Sequence, residues 1–586
     1  MCNNDNFVEE IIDENVTIRE PAKMAELFNI NFIDTDKKTR QDLPKKPLIA
    51  LGNTNTSTIF IQPCSNDEIG NIIRSLKNTN AVGYDEFNTK VIKSCTHILA
   101  PIICHLVNMS FEQGKFPDKL KISNIKPIHK KECRKNVNNY RPVALLSIFS
   151  KIFERAMYNR IYKFIMNKDI IAKEQNGFQK GKSTSLAGFQ LVKNVIESID
   201  KGNQACVVYF DMTKAFDYVD HDLLLQKCES YGLRGLCNDW IKSYLSNRSQ
   251  YVQLSNLNDD SELISHKSTL RHNKFGVPQG SIMGPLLFII YINDLPRIIN
   301  YKSILFADDI SIIIPKSNKY TDIDHFQNEI NNTINQIYQW LKNNNLCVNE
   351  KKTKYMIFRN RKMQPLDLKV ECNSIEIERV SNTKFLGIVL DEHCSWVSHN
   401  DYVCAKLNRF IYALYKLQRE SDVNTALMAY HGYITSILRY CLILWGNGTN
   451  INRTFILQKR CIRAIANAKP TDSCKPLFIK YGLLSLPSLY IYEGVCFVLK
   501  HKDLFTKKGQ FLSFNTRYPN NLVLPAGKTA LHGKNCHYML TCMFNKLPAR
   551  FKTMRWNMFV REVKKWLCSK CFYTVQEFIN GKHDSS

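Results

Sequence analysis

The sequence predicts a mixed α/β fold over about residues 60 to 390, followed by a mostly helical region from about 400 onward. Three observations lead there. Strand-length apolar runs, among them 205–210 and the two that flank the acids of "SILFADDISIII" (303–314), alternate with helical patterns in the first part. Beyond 400 the apolar residues recur at helical spacing, as in "KLNRFIYALYKL", where Leu407, Phe410, Leu414 and Leu417 share one face. Hydrophobic residues make up 44% of the 586, a globular proportion that supports a large core and about two to four domains.

Residues 1–60 read as an N-terminal linker. They begin polar and acidic with "MCNNDNFVEE", include one short amphipathic stretch, "PAKMAELFNINF", and end in the turn-forming "NTNTST". That start is not a secretory signal, and no uninterrupted apolar run is long enough to span a bilayer, since even "SILRYCLILW" contains Arg439. The expectation is an intracellular protein of the nucleus and/or cytoplasm, neither secreted nor membrane-bound. The 20 cysteines fit a reducing compartment: Cys206, Cys228, Cys237, Cys347 and Cys441 stand singly in apolar segments and read as small buried hydrophobes. The close pair Cys568 and Cys571 in "CSKC" lacks a second ligand pair at zinc spacing.

Charge points to a partner. A net charge of +27 is costly in self-repulsion unless a polyanion lies against it, and nucleic acid is the leading candidate. The excess is concentrated in "PDKLKISNIKPIHKKECRKNVNNYR" (117–141), where eight Lys or Arg face two acids. Such a run is either a solvated face or a phosphate-binding one, and the residue types alone do not decide.

Asp308 and Asp309 stand side by side between two apolar runs. Asp-Asp is ordinary turn chemistry, but two like charges at the tip of a buried hairpin repel one another and resist desolvation, so a bound divalent cation is the alternative. A third carboxylate arises in "ACVVYFDMTKAFDYVDHDLLLQ". Residues 205–210 form a continuous apolar strand, Asp211 terminates it, and an amphipathic helix follows. If this strand lies beside the "SILFADDISIII" hairpin, Asp211 and Asp308 converge, and such carboxylates can hold two hard cations about 3.5 to 4 Å apart for in-line phosphoryl displacement. Mg2+ suits the arrangement, because it keeps several waters and shares ligands with substrate phosphates.

Between these acids lies "FGVPQGSIMGPLLFIIYINDLP". Gly276, Gly280 and Gly284 permit close backbone approach, Pro278 stiffens the loop, Ser281 can cap the next helix, and Gln279 can hydrogen-bond a nucleotide. A plain helix-entry loop would use the same residues.

The order of these segments resembles the reverse transcriptases of non-LTR (LINE-like) retrotransposons, in particular the jockey-type elements of insects. The resemblance rests on "NYRP" (139–142), "NGFQKGKST" (176–184), "FDMTKAFD" (210–217), "VPQGSIMGPLLFIIYINDLP" (277–296), "FADD" (306–309), "LCVNEKKT" (346–353) and "FLG" (385–387). It extends to the helical end, where 457–491, "FNKLPARFK" and "FYTVQEF" look like the region after the polymerase in jockey-like proteins.

The resemblance implies a right-hand polymerase fold with fingers, palm and thumb, followed by a mostly helical C-terminal region. It implies a fingers extension at 61–108, a reverse transcriptase domain at 109–390, a helical thumb at 391–470 and a C-terminal region at 471–586. The implied activity is RNA-directed DNA synthesis: two-metal-ion nucleotidyl transfer from a dNTP to a primer 3′-hydroxyl, with an RNA template and a DNA primer or target, in target-primed reverse transcription. Two Mg2+ ions, with Mn2+ as the alternative, would sit on Asp211 and Asp308 with Asp309 in support. Lys352 would protonate pyrophosphate, although a solvated lysine run would look the same. Lys130 and Arg141 would clamp the triphosphate, Phe216 would exclude a 2′-hydroxyl or else simply pack in the core, and Gln279 and Gly280 would meet the nascent pair. Lys119, Lys121, Lys126 and Gly387 would contact nucleic acid.

The family's apurinic-type endonuclease has no room before residue 60, and no RNase H is evident. The endonuclease and gag-like protein of the element are therefore expected as separate partners. Two other readings stay open: a catalytically silent nucleic-acid-binding remnant, and another template-dependent polymerase such as an RNA-dependent RNA polymerase, which Phe216 and "FADD" disfavour.

Overall fold

The computed structural model describes residues 8–13, 16–40, 55–130, 133–257, 262–316, 322–508, 520–527 and 532–581. Much of the expected N-terminal linker, and Lys131 and Glu132 of the basic run, lie outside the described residues. The elements that position the site are, in chain order, α1 (Pro21–Arg40), β1 (Ile122–His129), β2 (Tyr140–Leu146), α2 (Thr184–Asp200), β3 (Ala205–Phe210), β4 (Arg248–Leu257), α3 (Met283–Tyr291), β5 (Lys302–Phe306), β6 (Asp309–Pro315), β7 (Lys354–Phe358) and α4 (Val397–Glu420).

A central sheet runs β5–β6–β3–β7, with the short strand Glu378–Arg379 beyond β7. Its four main strands pair antiparallel, and the outer short strand is parallel to β7. The continuous apolar run of β3 follows from burial on both faces. Cys206, Val208 and Phe210 join Ile310, Ile312 and Ile314 in a core with α3, whereas Ala205 and Val207 join Ile313, Met356 and Phe358 in a second core with α2.

A second sheet runs β2–β1–β4–Leu263–Lys267, and Arg271–Asn273 also pairs with β4. Here the N-terminal stretch departs from the expected linker. Met24, Ala25, Phe28 and Phe32 recur at helical spacing on α1 and are buried with Val252 and Leu254 of β4, so this stretch is a structural layer of the sheet. Residues 55–59 are likewise tied down, with Asn55 N donating to Ser230 O and Ile59 N to Gly232 O, both at 2.9 Å.

The helical part packs onto the face of the central sheet that α2 covers. Ser183 caps α2, its hydroxyl accepting from Leu186 N at 3.2 Å. The α4 stripe does what its spacing predicts: Leu407 and Leu414 are buried, and Phe410 and Leu417 pack beside them. The same core takes residues from Ile451–Ala466, Leu486–Lys500, Cys536–Lys546 and Trp556–Lys570, so it runs continuously across position 470. Cys206, Cys228, Cys237 and Cys441 are buried free thiols, and Cys347 is half-buried. Among the described residues no helix is long and apolar enough to cross a membrane.

One buried ion pair ties α3 to the helices around it. Lys227 Nζ donates to Tyr291 O at 2.6 Å and to Asp294 Oδ1 at 2.7 Å, over the rings of Tyr291 and Trp340. Burial lowers the Lys227 pKa and the Asp294 charge opposes that. Asp294→Ala strands this ammonium, so the apparent unfolding free energy in urea should fall by about 3 to 5 kcal/mol, whereas Lys227→Met, which removes the charge, should cost far less. Equal losses in the two variants would contradict this account.

Candidate active site

The register of the central sheet brings the acids together. Ile310 pairs with Phe210 and Asp309 pairs with Phe306, so the next step along β3 sets Asp211 beside Asp309, with Asp308 in the two-residue turn 307–308. Such a turn needs positive φ, and Ala307 supplies it at 56°. Burial first, then the Asp211 charge, raises the Asp308 pKa, against its own backbone N–H and the charges of Arg141 and Lys130. Asp309 reaches solvent at the hairpin tip but is walled by protein; burial, then Asp308 and Asp211, push it up to about 6.

Asp211 is pinned through its backbone. Asn349 N donates to Asp211 O at 2.8 Å, and Asp211 N donates to Thr353 Oγ1 at 3.4 Å. Lys352 is exposed in the same turn, its N–H donating to Asn349 O at 3.1 Å, so "NEKKT" lies directly against the acid.

The glycine loop bridges the two sheets. Ala144 N of β2 donates to Gln279 O at 2.8 Å, and a β-carbon on Gly280, whose φ is 118°, would stand 2.6 Å from Ala144 O. Val277 N donates to Phe216 O and Gly276 N to Val219 O, both at 2.9 Å. Ser281 Oγ accepts from Gly284 N at 2.9 Å, the cap its position predicts. Gln279 Nε2 donates to both carboxylate oxygens of Asp217, at 2.9 and 3.0 Å. Burial pushes Asp217 up to about 6, against that hydrogen bond and the Lys214 charge. The Phe216 ring is half-buried, stacked on Phe288 at 4.5 Å.

The basic residues separate. Lys130 and Arg141 are exposed at the ends of β1 and β2, close enough for their charges to act on Asp308. Lys119 is exposed as well. Lys121, expected among the nucleic-acid contacts, is instead 4% exposed and paired with Asp118 at 2.7 Å, which removes it from that set. Lys126 is half-buried and donates to Gln253 O at 3.1 Å inside the second sheet; burial, then Lys267, lowers its pKa. Gly387 is the second residue of the 386–387 turn, with φ 86° and the Tyr440 ring 3.1 Å from where a β-carbon would stand.

Two residues not singled out in the sequence hold the site in place. Gln175 is buried, and its Oε1 accepts from Ala307 N at 3.0 Å and Gly177 N at 2.8 Å, so it steadies the turn that carries Asp308. Glu154, buried on the helix Ile148–Asn167, accepts from Ile282 N at 2.7 Å and Met283 N at 3.1 Å where α3 begins. An acid on the apolar face of that helix was the available signal for Glu154. Gln175 carried none, because its target lies 132 residues away.

Hard oxygen donors in mutual repulsion fit a divalent cation. Among the described residues, however, no group of three or more His, Cys, Asp and Glu could hold a metal ion by itself. Further ligands would have to come from water or a bound phosphate, which is how Mg2+ is commonly shared with a nucleotide.

Residues 128–390 match the family described as reverse transcriptase (RNA-dependent DNA polymerase). The chain is 29% identical over 70% of its length to the probable RNA-directed DNA polymerase from transposon BS of Drosophila melanogaster, covering 45% of that protein. It is 24% identical over 77% of its length to the probable RNA-directed DNA polymerase from transposon X-element of the same species, and 26% identical over 69% to the RNA-directed DNA polymerase from mobile element jockey, covering 48% and 44% of them. The chain thus spans about half the length of these relatives. Over residues 128–390 the chain is similar to reverse transcriptases, and the relatives it resembles are polymerases of the BS, X-element and jockey mobile elements.

Proposed function

We propose that the chain is the RNA-directed DNA polymerase of a non-LTR retrotransposon, extending a primer 3′-hydroxyl on an RNA template with dNTPs in target-primed reverse transcription. The observation that carries this reading is the meeting of Asp211 and Asp308 where adjoining strands end, with the charges of Lys130 and Arg141 acting on Asp308. In this reading the central sheet is the palm, the second sheet the fingers, and the helices from Val397 the thumb and C-terminal region.

Asp211 and Asp308 would hold the divalent ions, with Asp309 in support. Those ions would neutralise the triphosphate and make the primer hydroxyl a better nucleophile. The residues of the chain do the rest. Lys130 and Arg141 receive triphosphate oxygens, Arg141 through its planar fork. Lys352, beside Asp211, gives a proton to the leaving pyrophosphate. Phe216 lies under the incoming sugar, where a 2′-hydroxyl would clash. Gln279, fixed by Asp217, borders the nascent pair together with Gly280. Lys119 and the Gly387 turn approach the template-primer backbone.

Primer extension on an RNA template with Mg2+ is the direct test. Asp211→Asn and Asp308→Asn should each abolish synthesis, because one lost ligand removes several kcal/mol of charge stabilisation, while primer-template binding persists. Near wild-type synthesis in either variant would refute the assignment, and binding without synthesis in the wild type would mark a silent remnant.

Stability should report the burial of Asp309 beside two like charges independently of turnover. A carboxyl raised to about 6 in the folded chain, from 3.8, binds its proton more tightly there than in the unfolded chain. Its charge therefore costs stability above that window and costs nothing below it. With divalent ions chelated, Asp309→Asn should be more stable to urea at pH 7.5, by about 1 kcal/mol after allowance for solvent exposure, and the gain should fade as pH falls through about 6 and be gone near pH 3. A gain independent of pH would contradict the assigned cause.

A further inference from the structure

Phe178 lies on the loop fastened against the turn that carries Asp308, and the roles above leave it unused. Its φ is 54°, a conformation that a residue with a β-carbon keeps only where its surroundings impose it. Its side chain is 48% exposed, so burial of its own ring does not explain the strain.

The loop is fastened to the hairpin that carries Asp308. Leu305 N donates to Glu174 O at 3.0 Å and Asn176 N to Leu305 O at 2.7 Å, extending the central sheet beyond β5. Gln175 then accepts from Ala307 N. Gly177 crosses so close that a β-carbon there would stand 2.3 Å from Ala307 N, and only a glycine makes that approach. Phe178 follows directly, so its backbone is referenced to the acids. Its ring meets the Phe216 ring edge-on, at 6.1 Å between centroids and 90° between planes, while Phe288 lies against the face of Phe216 at 4.5 Å and 21°. Phe216 is thereby held between a stacked partner and a perpendicular stop.

We propose that Phe178 is a positioning residue for sugar selection: the loop holds it in left-handed backbone so that its ring stops Phe216 from swinging off Phe288 and fixes the ring that excludes a ribose 2′-hydroxyl. The inference rests on the reading of Phe216 given above. It accounts for a strained backbone and an exposed aromatic ring at one residue, since both are tolerated where they keep a neighbour in place. Direct contact between Phe178 and substrate is not required.

Phe178→Gly tests this, because it removes the ring and at the same time frees the backbone. The full chain should melt at a higher temperature, yet its kcat/KM for ribonucleotides relative to deoxynucleotides should rise by about tenfold, the low end of what one steric contact is worth. Phe178→Leu, which restores part of the side chain, should give an intermediate ratio. Phe216→Val should relax selectivity by itself, and adding Phe178→Gly to it should change the ratio no further, as expected for residues acting through one contact. An unchanged ratio in Phe178→Gly alongside a relaxed one in Phe216→Val overturns the inference and leaves the role of Phe216 standing. Unchanged selectivity in Phe216→Val removes that role and the inference with it. A lower melting temperature with equal losses for both sugars would make Phe178 merely structural.

Discussion

Like charges cannot be gathered at the edge of a buried sheet without help, and most of the local architecture answers to that constraint. The central strands are apolar on both faces, which makes the sheet rigid and leaves their ends as the only place for Asp211, Asp308 and Asp309. Asp211 and the turn that carries Asp308 are then held through backbone contacts. Asn349 and Thr353 fix the chain at Asp211, and Gln175 and the close passage of Gly177 fix the turn at Asp308. Burial first, and then the charge of the neighbouring acids, raise the pKa values of Asp308 and Asp309.

The second sheet joins this arrangement through a loop. Its strand β2 pairs with the backbone of Gln279 across a glycine contact too close for any side chain, so motion of β2 and motion of the Gln279 amide are coupled. Glu154 anchors the other end of that loop by accepting two N–H groups where α3 begins; burial raises its pKa, and the Arg248 charge and those two hydrogen bonds oppose the rise. Lys130 and Arg141 travel with β1 and β2. Movement of that sheet would therefore change the field at Asp308 and the place of Gln279 together.

What could be read in the sequence was local. Asp211 ends a six-residue apolar run and Asp308 lies between two such runs, so strand length and turn chemistry alone locate them. The stripe on α4 was legible for the same reason. What could not be read was which partner a residue meets far along the chain. Met24, Phe28 and Phe32 repeat helically, but the strand they cover begins more than 200 residues later, so the stretch passed for a linker. The basic run identified a charged surface without telling Lys119 from Lys121, because the difference is a single turn of 3-10 helix that aims Lys121 at Asp118 and into the protein. Phe178 stood only as a letter of the 176–184 motif and Gln175 just before it, since their work is done on Phe216 and Ala307.

The central claim is that these acids form a cation site which a nucleotide completes. Free Mn2+ measured by electron paramagnetic resonance tests it, with the full chain alone, with primer-template, and with primer-template plus an unreactive dNTP analogue. The account predicts weak binding alone and a marked gain when triphosphate oxygens join Asp211 and Asp308, lost in the Asp211→Asn, Asp308→Asn double variant. Mn2+ uptake by the ternary complex that the double variant retains in full, or that the triphosphate does not strengthen, would contradict it.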